Sequence, residues 1–459
     1  MKNKTLLSVA IGALFAASGA QAAISSYELI AVGSLTGTSD LSGLSGNLES
    51  GVAKNVLGGM GSGLAYAGGN TFLAAPDRGP NATPYNSAVE DTTTYIPRFQ
   101  TVSMNLAATP SGSYAYSLTP TLQATTLLYS PTALTYGTGG TPSENTTGKY
   151  YFTGRSDAFD AAQNSLYSGN GRFDPEGIRT SNDGSKVYIS DEYGTYLYEF
   201  NRATGERTRA FALPGNLAVA KQGPTTASEG SPTNTSGRVG NKGMEGLAIT
   251  PDGKTLVGIV QAPALQDVPT KNVRIVSVDI ASGATKEFAY TLTTGSGVSE
   301  ILAINDHEFL VDERDGKGLG DGTSASVKQI FKIDLANAED VTSLSGSALT
   351  SKAVSKTLFL DVKAKMVAKG ITATNVPAKM EAMAWGADIT DNGELFHTLW
   401  MANDNDFLPN VAGQNNFYVF AVKASDLTSF QAQPVPLPAA AFLMAPALAG
   451  LTRLRRRKA

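Results

Sequence analysis

The chain has no cysteine and only two histidines and two tryptophans in 459 residues, and Asp, Glu, Lys and Arg make up just 17% of it. Without cysteine there are no disulfides, no thiolate nucleophile and no cysteine-bound zinc, so apolar burial must hold the core. A domain of about 400 residues is large enough for that. The histidines stand apart, His307 in the turn Asn305-Asp306-His307 and His397 far downstream, which excludes a histidine-rich zinc site and leaves His397 as a lone ligand at most. No Gly-x-Ser-x-Gly elbow occurs, which argues against a Ser-His-Asp esterase. Walker A and dinucleotide-binding fingerprints are missing too, and no long amphipathic helix can be traced.

The ends read as processing signals. Lys2 and Lys4, the apolar stretch Thr5 to Ala17 and the small-x-small site Ala20-Gln21-Ala22 predict a secretion signal over residues 1–22, cut by signal peptidase after Ala22. At the other end, Val435-Pro436-Leu437-Pro438-Ala439 leads into the apolar segment Ala440 to Leu451 and then Arg453, Arg455, Arg456, Arg457 and Lys458. Such a segment can lodge transiently in the inner membrane during export, its basic cluster held on the cytoplasmic side, and is short for a permanent span. Residues 435–459 resemble the VPLPA variety of PEP-CTERM sorting signals. That resemblance implies cutting by an exosortase-type enzyme and a destination at the cell surface, outer envelope or beyond. The two ends hold seven of the 36 Lys and Arg and none of the 40 Asp and Glu, so removing them takes the net charge from −4 to about −11. A charge of that sign opposes binding to nucleic acid or anionic lipid and suits divalent cations.

Between residues 24 and 430 the pattern is all-β. Runs such as Lys186-Val187-Tyr188-Ile189-Ser190, Arg274-Ile275-Val276-Ser277-Val278 and Phe417-Tyr418-Val419-Phe420 are separated by turn signals at Asn182-Asp183-Gly184, Pro251-Asp252-Gly253 and Asp391-Asn392-Gly393. A unit recurs at Gly61-Ser62-Gly63-Leu64-Ala65, Pro175-Glu176-Gly177-Ile178, Met244-Glu245-Gly246-Leu247-Ala248, Ser299-Glu300-Ile301-Leu302-Ala303 and Met380-Glu381-Ala382-Met383-Ala384. Four of these five carry glutamate. Successive glutamates lie 69, 55 and 81 residues apart, a spacing that fits four-stranded β-propeller blades with loop insertions. The 114 residues between Ser62 and Glu176 predict two blades, the second starting at Arg98 to Leu118, and six blades in all. A strand near Tyr27 to Val32 is expected to pair with one near Phe417 to Val422 and close the ring. In a propeller, equivalent positions face one axis, so the repeated acids should converge there. A β-sandwich array is the alternative, but it gives glutamate no reason to recur at one register.

The motifs Pro175-Glu176-Gly177, Ser190-Asp191-Glu192-Tyr193-Gly194, Asn241-Lys242-Gly243-Met244-Glu245-Gly246-Leu247, Glu313-Arg314-Asp315 and Met380-Glu381-Ala382-Met383-Ala384-Trp385-Gly386 resemble the "esterase-like activity of phytase" domain. The resemblance spans most of Gly58 to Phe420 and implies a β-propeller that hydrolyses phosphoesters. The residues themselves agree in part, because converging Asp and Glu oxygens are what a hard cation such as Ca²⁺ requires. Glu176, Asp191, Glu192, Glu300 and Glu313 are the candidate metal ligands, and Glu245 and Glu381 the candidate catalytic carboxylates. Arg78, Lys242 and Arg314 are the candidate phosphate-binding residues, guanidinium forks being suited to that geometry. The chemistry expected is a water activated on calcium, a glutamate that takes its proton and an arginine that offsets the developing charge. Tyr193, Trp385, Trp400 and Phe407 are candidates to stack on a sugar or lipid. Two other readings stay open: a non-catalytic surface or matrix scaffold with structural calcium, and a metal-dependent lactonase or carboxylesterase. Any single acid named here can equally be half of an ion pair that fixes a blade edge.

Overall fold

The turn signals reverse the chain where expected. Gly184, Gly253 and Gly393 take φ values of 68°, 73° and 83°, a region that glycine enters without a Cβ clash, and each joins two consecutive antiparallel strands. A computed structural model describes residues 23–435 except positions 294 and 296. The secretion signal, and the sorting signal beyond Val435, lie outside the described residues. Among the described residues no helix is long and apolar enough to cross a membrane.

The strands form five antiparallel sheets arranged as blades. Blade 1 holds Gly63–Tyr66, Thr71–Ala75, Arg98–Ala107 and Ser117–Leu127. Blade 2 holds Pro175–Thr180, Lys186–Asp191, Tyr196–Asn201 and Arg207–Ala212, and blade 3 Met244–Ile249, Thr255–Val260, Asn272–Asp279 and Thr285–Thr291. Blade 4 holds Gly297–Ala303, Glu308–Arg314, Lys328–Asp334 and Lys356–Asp361. Blade 5 is built from Met380–Trp385, Glu394–Asn403 and Asn415–Lys423, with the N-terminal strand Glu28–Leu35 as its outer edge. That last pairing, Leu29 opposite Phe420 and Val32 opposite Tyr418, closes the ring as the sequence predicts.

The inner strand of each blade packs on the next, from blade 1 through blade 5 and back to blade 1, so the ring closes at five blades and not at six. The expected extra blade is absent because Arg98–Ala107 and Ser117–Leu127 are the third and fourth strands of blade 1. Residues 128–174, broken by Gly137, Gly139, Gly140, Pro142 and Gly148, contribute only the two-residue strands Tyr129–Ser130 and Tyr150–Tyr151.

The inner strands approach closely because glycine stands at their contacts. A Cβ on Gly177 would lie 2.5 Å from the Leu247 nitrogen, and one on Gly246 would lie 2.6 Å from the Ile301 nitrogen. Apolar layers fill the wedges between blades. Phe72, Trp400 and Val419, for example, pack between blades 5 and 1.

Candidate active site at the acidic mouth

The inner strands of blades 2 to 5 each start with an irregular step. Pro175 pairs with Asp191, Met244 with Val260, Val298 with Glu313 and Met380 with Asn403, and the register shifts immediately afterwards. A bulge of this kind re-aims the side chain it leaves unpaired. Those side chains are Glu176, Glu245, Ser299 and Glu381, with Ser62 at the matching place in blade 1. One residue beyond the same pairs, at or just past the ends of the second strands, stand Glu192, Gln261, Arg314 and Asp404, with Asp77 just past the second strand of blade 1.

All of these except Ser299 line a cavity of about 120 Å³ at one mouth of the channel, together with Arg78, Asn81, Asp174, Asn241, Lys379 and Asp406. Eight carboxylates therefore face three basic side chains. Asp77, Asp404 and Asp406 bring oxygens within 4.8 Å of one another, and so do Asp174, Glu176 and Glu192.

Burial and mutual repulsion decide the protonation here. Burial, then the charge of Glu245, raises Glu176 well above the usual carboxylate range. Burial, then Glu192 and Glu381, does the same to Glu245. Glu192 is pushed up to about 8 by burial and Asp174, against the pull of Arg78. Burial also raises Glu381, although Arg314 and Lys379 oppose it.

The fixed partners are few. Gln261 Nε2 donates to Glu245 Oε1 at 2.7 Å, while Glu245 Oε2 is buried with no hydrogen-bond partner. Arg314 pairs with Glu381 and lies 3.9 Å from Glu245. Arg78 pairs with Asp174 at 3.3 Å and also bonds Asn241.

Six of the ten expected site residues meet at this mouth: Glu176, Glu192, Glu245, Glu381, Arg78 and Arg314. The other four do not line it. Asp191 is turned into the blade edge, accepting the Asp174 and Tyr193 backbone N–H groups at 3.1 and 2.9 Å. Glu300 sits one residue past the bulge position, which in blade 4 is Ser299, and pairs with Arg179 at 2.9 Å inside the channel. Glu313 is bound on the outer side by Lys356 Nζ, the Tyr290 hydroxyl and the Thr293 N–H at 2.7, 3.0 and 2.7 Å. Burial opposes its charge, yet these donors lower its pKa. Lys242 is exposed and lines a neighbouring hollow with Gln261, Gly297 and Arg314.

Of the aromatic candidates, Trp385 faces the opposite, apolar mouth with Tyr66 and Phe430. Trp400 packs on Phe72, and Phe407 on Tyr95. Tyr193 lies 5.8 Å from the Arg78 guanidinium.

Asp77, Asp174, Gln261, Lys379, Asp404 and Asp406 also line the mouth and were not among the site residues expected from the sequence. Asp77, Gln261 and Asp404 could have been found from the ends of the second strands. Asp174 and Lys379 precede the inner strands and carry no repeat signature.

A match to the Phytase-like family, described as esterase-like activity of phytase, runs over residues 55–407 and includes every residue that lines this mouth. The chain belongs to that family. It is 28% identical over 284 residues to an "uncharacterized secreted protein" of Arthroderma benhamiae, covering 52% of this phytase-like chain and 53% of the other. The chain thus spans about half the length of the curated relative it matches. Among solved structures, the PQQ-bound aldose sugar dehydrogenase of Streptomyces coelicolor is similar with a TM-score of 0.34 at 11% identity, over 87% of this chain and 97% of that one. The periplasmic gluconolactonase of Pseudomonas aeruginosa is similar with a TM-score of 0.34 at 11% identity, over 86% and 99%.

Proposed function

We propose that this phytase-like propeller is an exported hydrolase that cleaves phosphoesters with calcium held at its acidic mouth. The observation that carries the reading is the excess of eight carboxylates over three bases around one cavity. Such an excess is costly to keep ionised without added cations. The donors fit calcium, since the mouth offers carboxylate oxygens and neither histidine nor cysteine. Asp174, Glu176 and Glu192, whose oxygens come within 4.8 Å of one another, are the residues that would hold it. Bound there, calcium would polarise a phosphoryl oxygen and acidify a water.

The chain's own groups would do the rest. Glu245 has one oxygen fixed by Gln261 and the other buried without a partner, which suits it to take a proton from water. Glu381, tied to Arg314, would take the second acid–base role. Arg314 and Arg78 would offset charge on the substrate's anionic oxygens. Export is supported by the predicted signal at residues 1–22 and by the description of the Arthroderma relative as secreted. The tag at 435–459 would then send the chain through an exosortase-type enzyme to the surface.

The test is phosphate release from a panel of phosphomonoesters and phosphodiesters by the purified mature chain, with calcium and with chelator, lactones and carboxylesters being run alongside. Turnover of phosphoesters that chelator abolishes is the expected result. Turnover of lactones alone would overturn the substrate class. If calcium raises the melting temperature but no ester is turned over, the propeller is a binding scaffold.

A further inference from the structure

The mouth's acids form two groups, and they differ in one respect. In the group of Asp77, Asp404 and Asp406, the carboxylates of Asp404 and Asp406 already hold a cation of the chain itself. Lys379 Nζ donates to Asp404 Oδ2 at 2.8 Å and to Asp406 Oδ1 at 2.5 Å, and an ammonium is a compact point charge with three donors. Its backbone is fixed by the blade, since the Asp404 N–H donates to the Lys379 carbonyl at 3.1 Å, just before Met380 begins the inner strand. The remaining oxygens of this group are partly committed to turns. Asp404 Oδ1 accepts the Asp406 N–H at 2.8 Å and Asp77 Oδ1 the Gly79 N–H at 2.9 Å.

The other group has no such occupant. Arg78 reaches Asp174 from the rim, through its side chain at 3.3 Å and its backbone N–H at 2.9 Å. Among the described residues neither Glu176 nor Glu192 makes an ion pair with a Lys or Arg. Facing them from blade 3 is Glu245, 3% exposed, whose Oε1 lies 3.9 Å from Arg314 while its Oε2 is buried without a hydrogen-bond partner. The uncompensated negative charge therefore collects on one side.

We infer that the mouth takes a single divalent cation, at Asp174, Glu176 and Glu192 beside the unpartnered oxygen of Glu245, because Lys379 stands as the resident cation of Asp404 and Asp406, next to Asp77. This rests on the proposal that the mouth binds a divalent cation, and it assigns that cation a place and a number. It also makes Lys379 a positioning residue: its ammonium holds Asp404 and Asp406 together and so fixes the blade 5 side of the cavity.

The test is calcium stoichiometry, measured by calorimetry and by equilibrium dialysis on the purified mature chain, with folding of each variant checked by its melting transition. The unsubstituted protein should bind one ion. Glu176→Gln should abolish that binding, and Asp404→Asn should leave the stoichiometry at one. Lys379→Met should raise it to two, whereas Lys379→Arg should keep it at one. If Lys379→Met melts without cooperativity in chelator, its melting should become cooperative when calcium takes the ammonium's place, and failure to do so counts against the inference. Two ions in the unsubstituted protein, one of them lost in Asp404→Asn, would overturn the inference and leave the proposed function standing. One ion with no phosphoester turnover would overturn the function and leave the inference standing. No bound ion would overturn both.

Discussion

Arg179 of blade 2 pairs with Glu300 of blade 4 at 2.9 Å, and because those blades are not neighbours the pair spans the channel. Arg179 also donates to the carbonyls of Leu64 in blade 1 and Ile301 in blade 4, at 2.6 and 3.0 Å. Glu300 accepts the Leu247 N–H of blade 3 at 2.9 Å. Four blades thus meet at one buried ion pair, which separates the acidic mouth from the apolar mouth lined by Tyr66, Leu302, Trp385 and Phe430. Arg179→Met leaves Glu300 without its counter-charge and is expected to cost about 3–5 kcal/mol in urea unfolding. The double variant Arg179→Met, Glu300→Gln should recover part of that loss. Equal stability of the single variant and the parent would refute the bridging role.

The buried acids set a pH dependence. Burial pushes Glu192 up to about 8 and Glu300 and Asp191 up to about 7. An unfolded carboxylate titrates near 4, so between roughly pH 4 and pH 8 the native state binds more protons, and its stability falls as pH rises through that window. In chelator the protein should melt at a higher temperature at pH 5.5 than at pH 8.5. Calcium should narrow the gap, since it binds the deprotonated carboxylates. A melting temperature in chelator that climbs from pH 5.5 to pH 8.5 would contradict this assignment.

Glu229 behaves in the opposite way. Burial opposes its charge, but Arg238 and Arg172 outweigh burial and lower its pKa to about 2. Its contribution to stability is present above the unfolded value of about 4.3 and is lost as pH falls towards 2. Glu229→Gln would leave Arg172 and Arg238 buried side by side, at an expected cost of about 3 kcal/mol or more. The surrounding loop, residues 213–243, carries Asn241 to the mouth. Limited proteolysis should cut this loop faster in Glu229→Gln than in the parent, and unchanged cleavage would show that the triad does not hold it.

Ring closure rests on the first strand. Deleting residues 24–35 would leave the edge of Asn415–Lys423 unpaired and uncover the buried side chains of Phe417 and Val419, an exposed edge of the kind that aggregates. Low soluble yield and loss of a cooperative melt are expected. A deletion variant that still melts cooperatively near the parent temperature would show that the other strands of blade 5 suffice.

Much of this was legible in the sequence. Glycine turns, alternating runs and the recurring glutamate carry the propeller and bring Glu176, Glu245 and Glu381 to one mouth. The blade number was not, because spacing alone does not distinguish a blade from the loop-rich segment 128–174. Glu300 misled for a different reason. It looks like Glu245 in sequence, but the bulge that Glu245 occupies in blade 3 falls on Ser299 in blade 4, and in a strand a shift of one residue turns the side chain away. Glu313 fell to the same period of two, since Arg314 is the residue of that pair that reaches the cavity. Lys379 leaves no pattern at all, because its importance comes from where blade 5 places it against Asp404 and Asp406.

The most direct measurement is a calcium titration of phosphate release run beside calorimetric calcium binding on the same mature chain. Activity should rise from zero in chelator with the half-saturation of direct binding, and Glu245→Gln should still bind an ion, more weakly, while losing about 10²-fold or more in kcat. Phosphate release that is indifferent to calcium, or undiminished in Glu245→Gln, would contradict the proposed function.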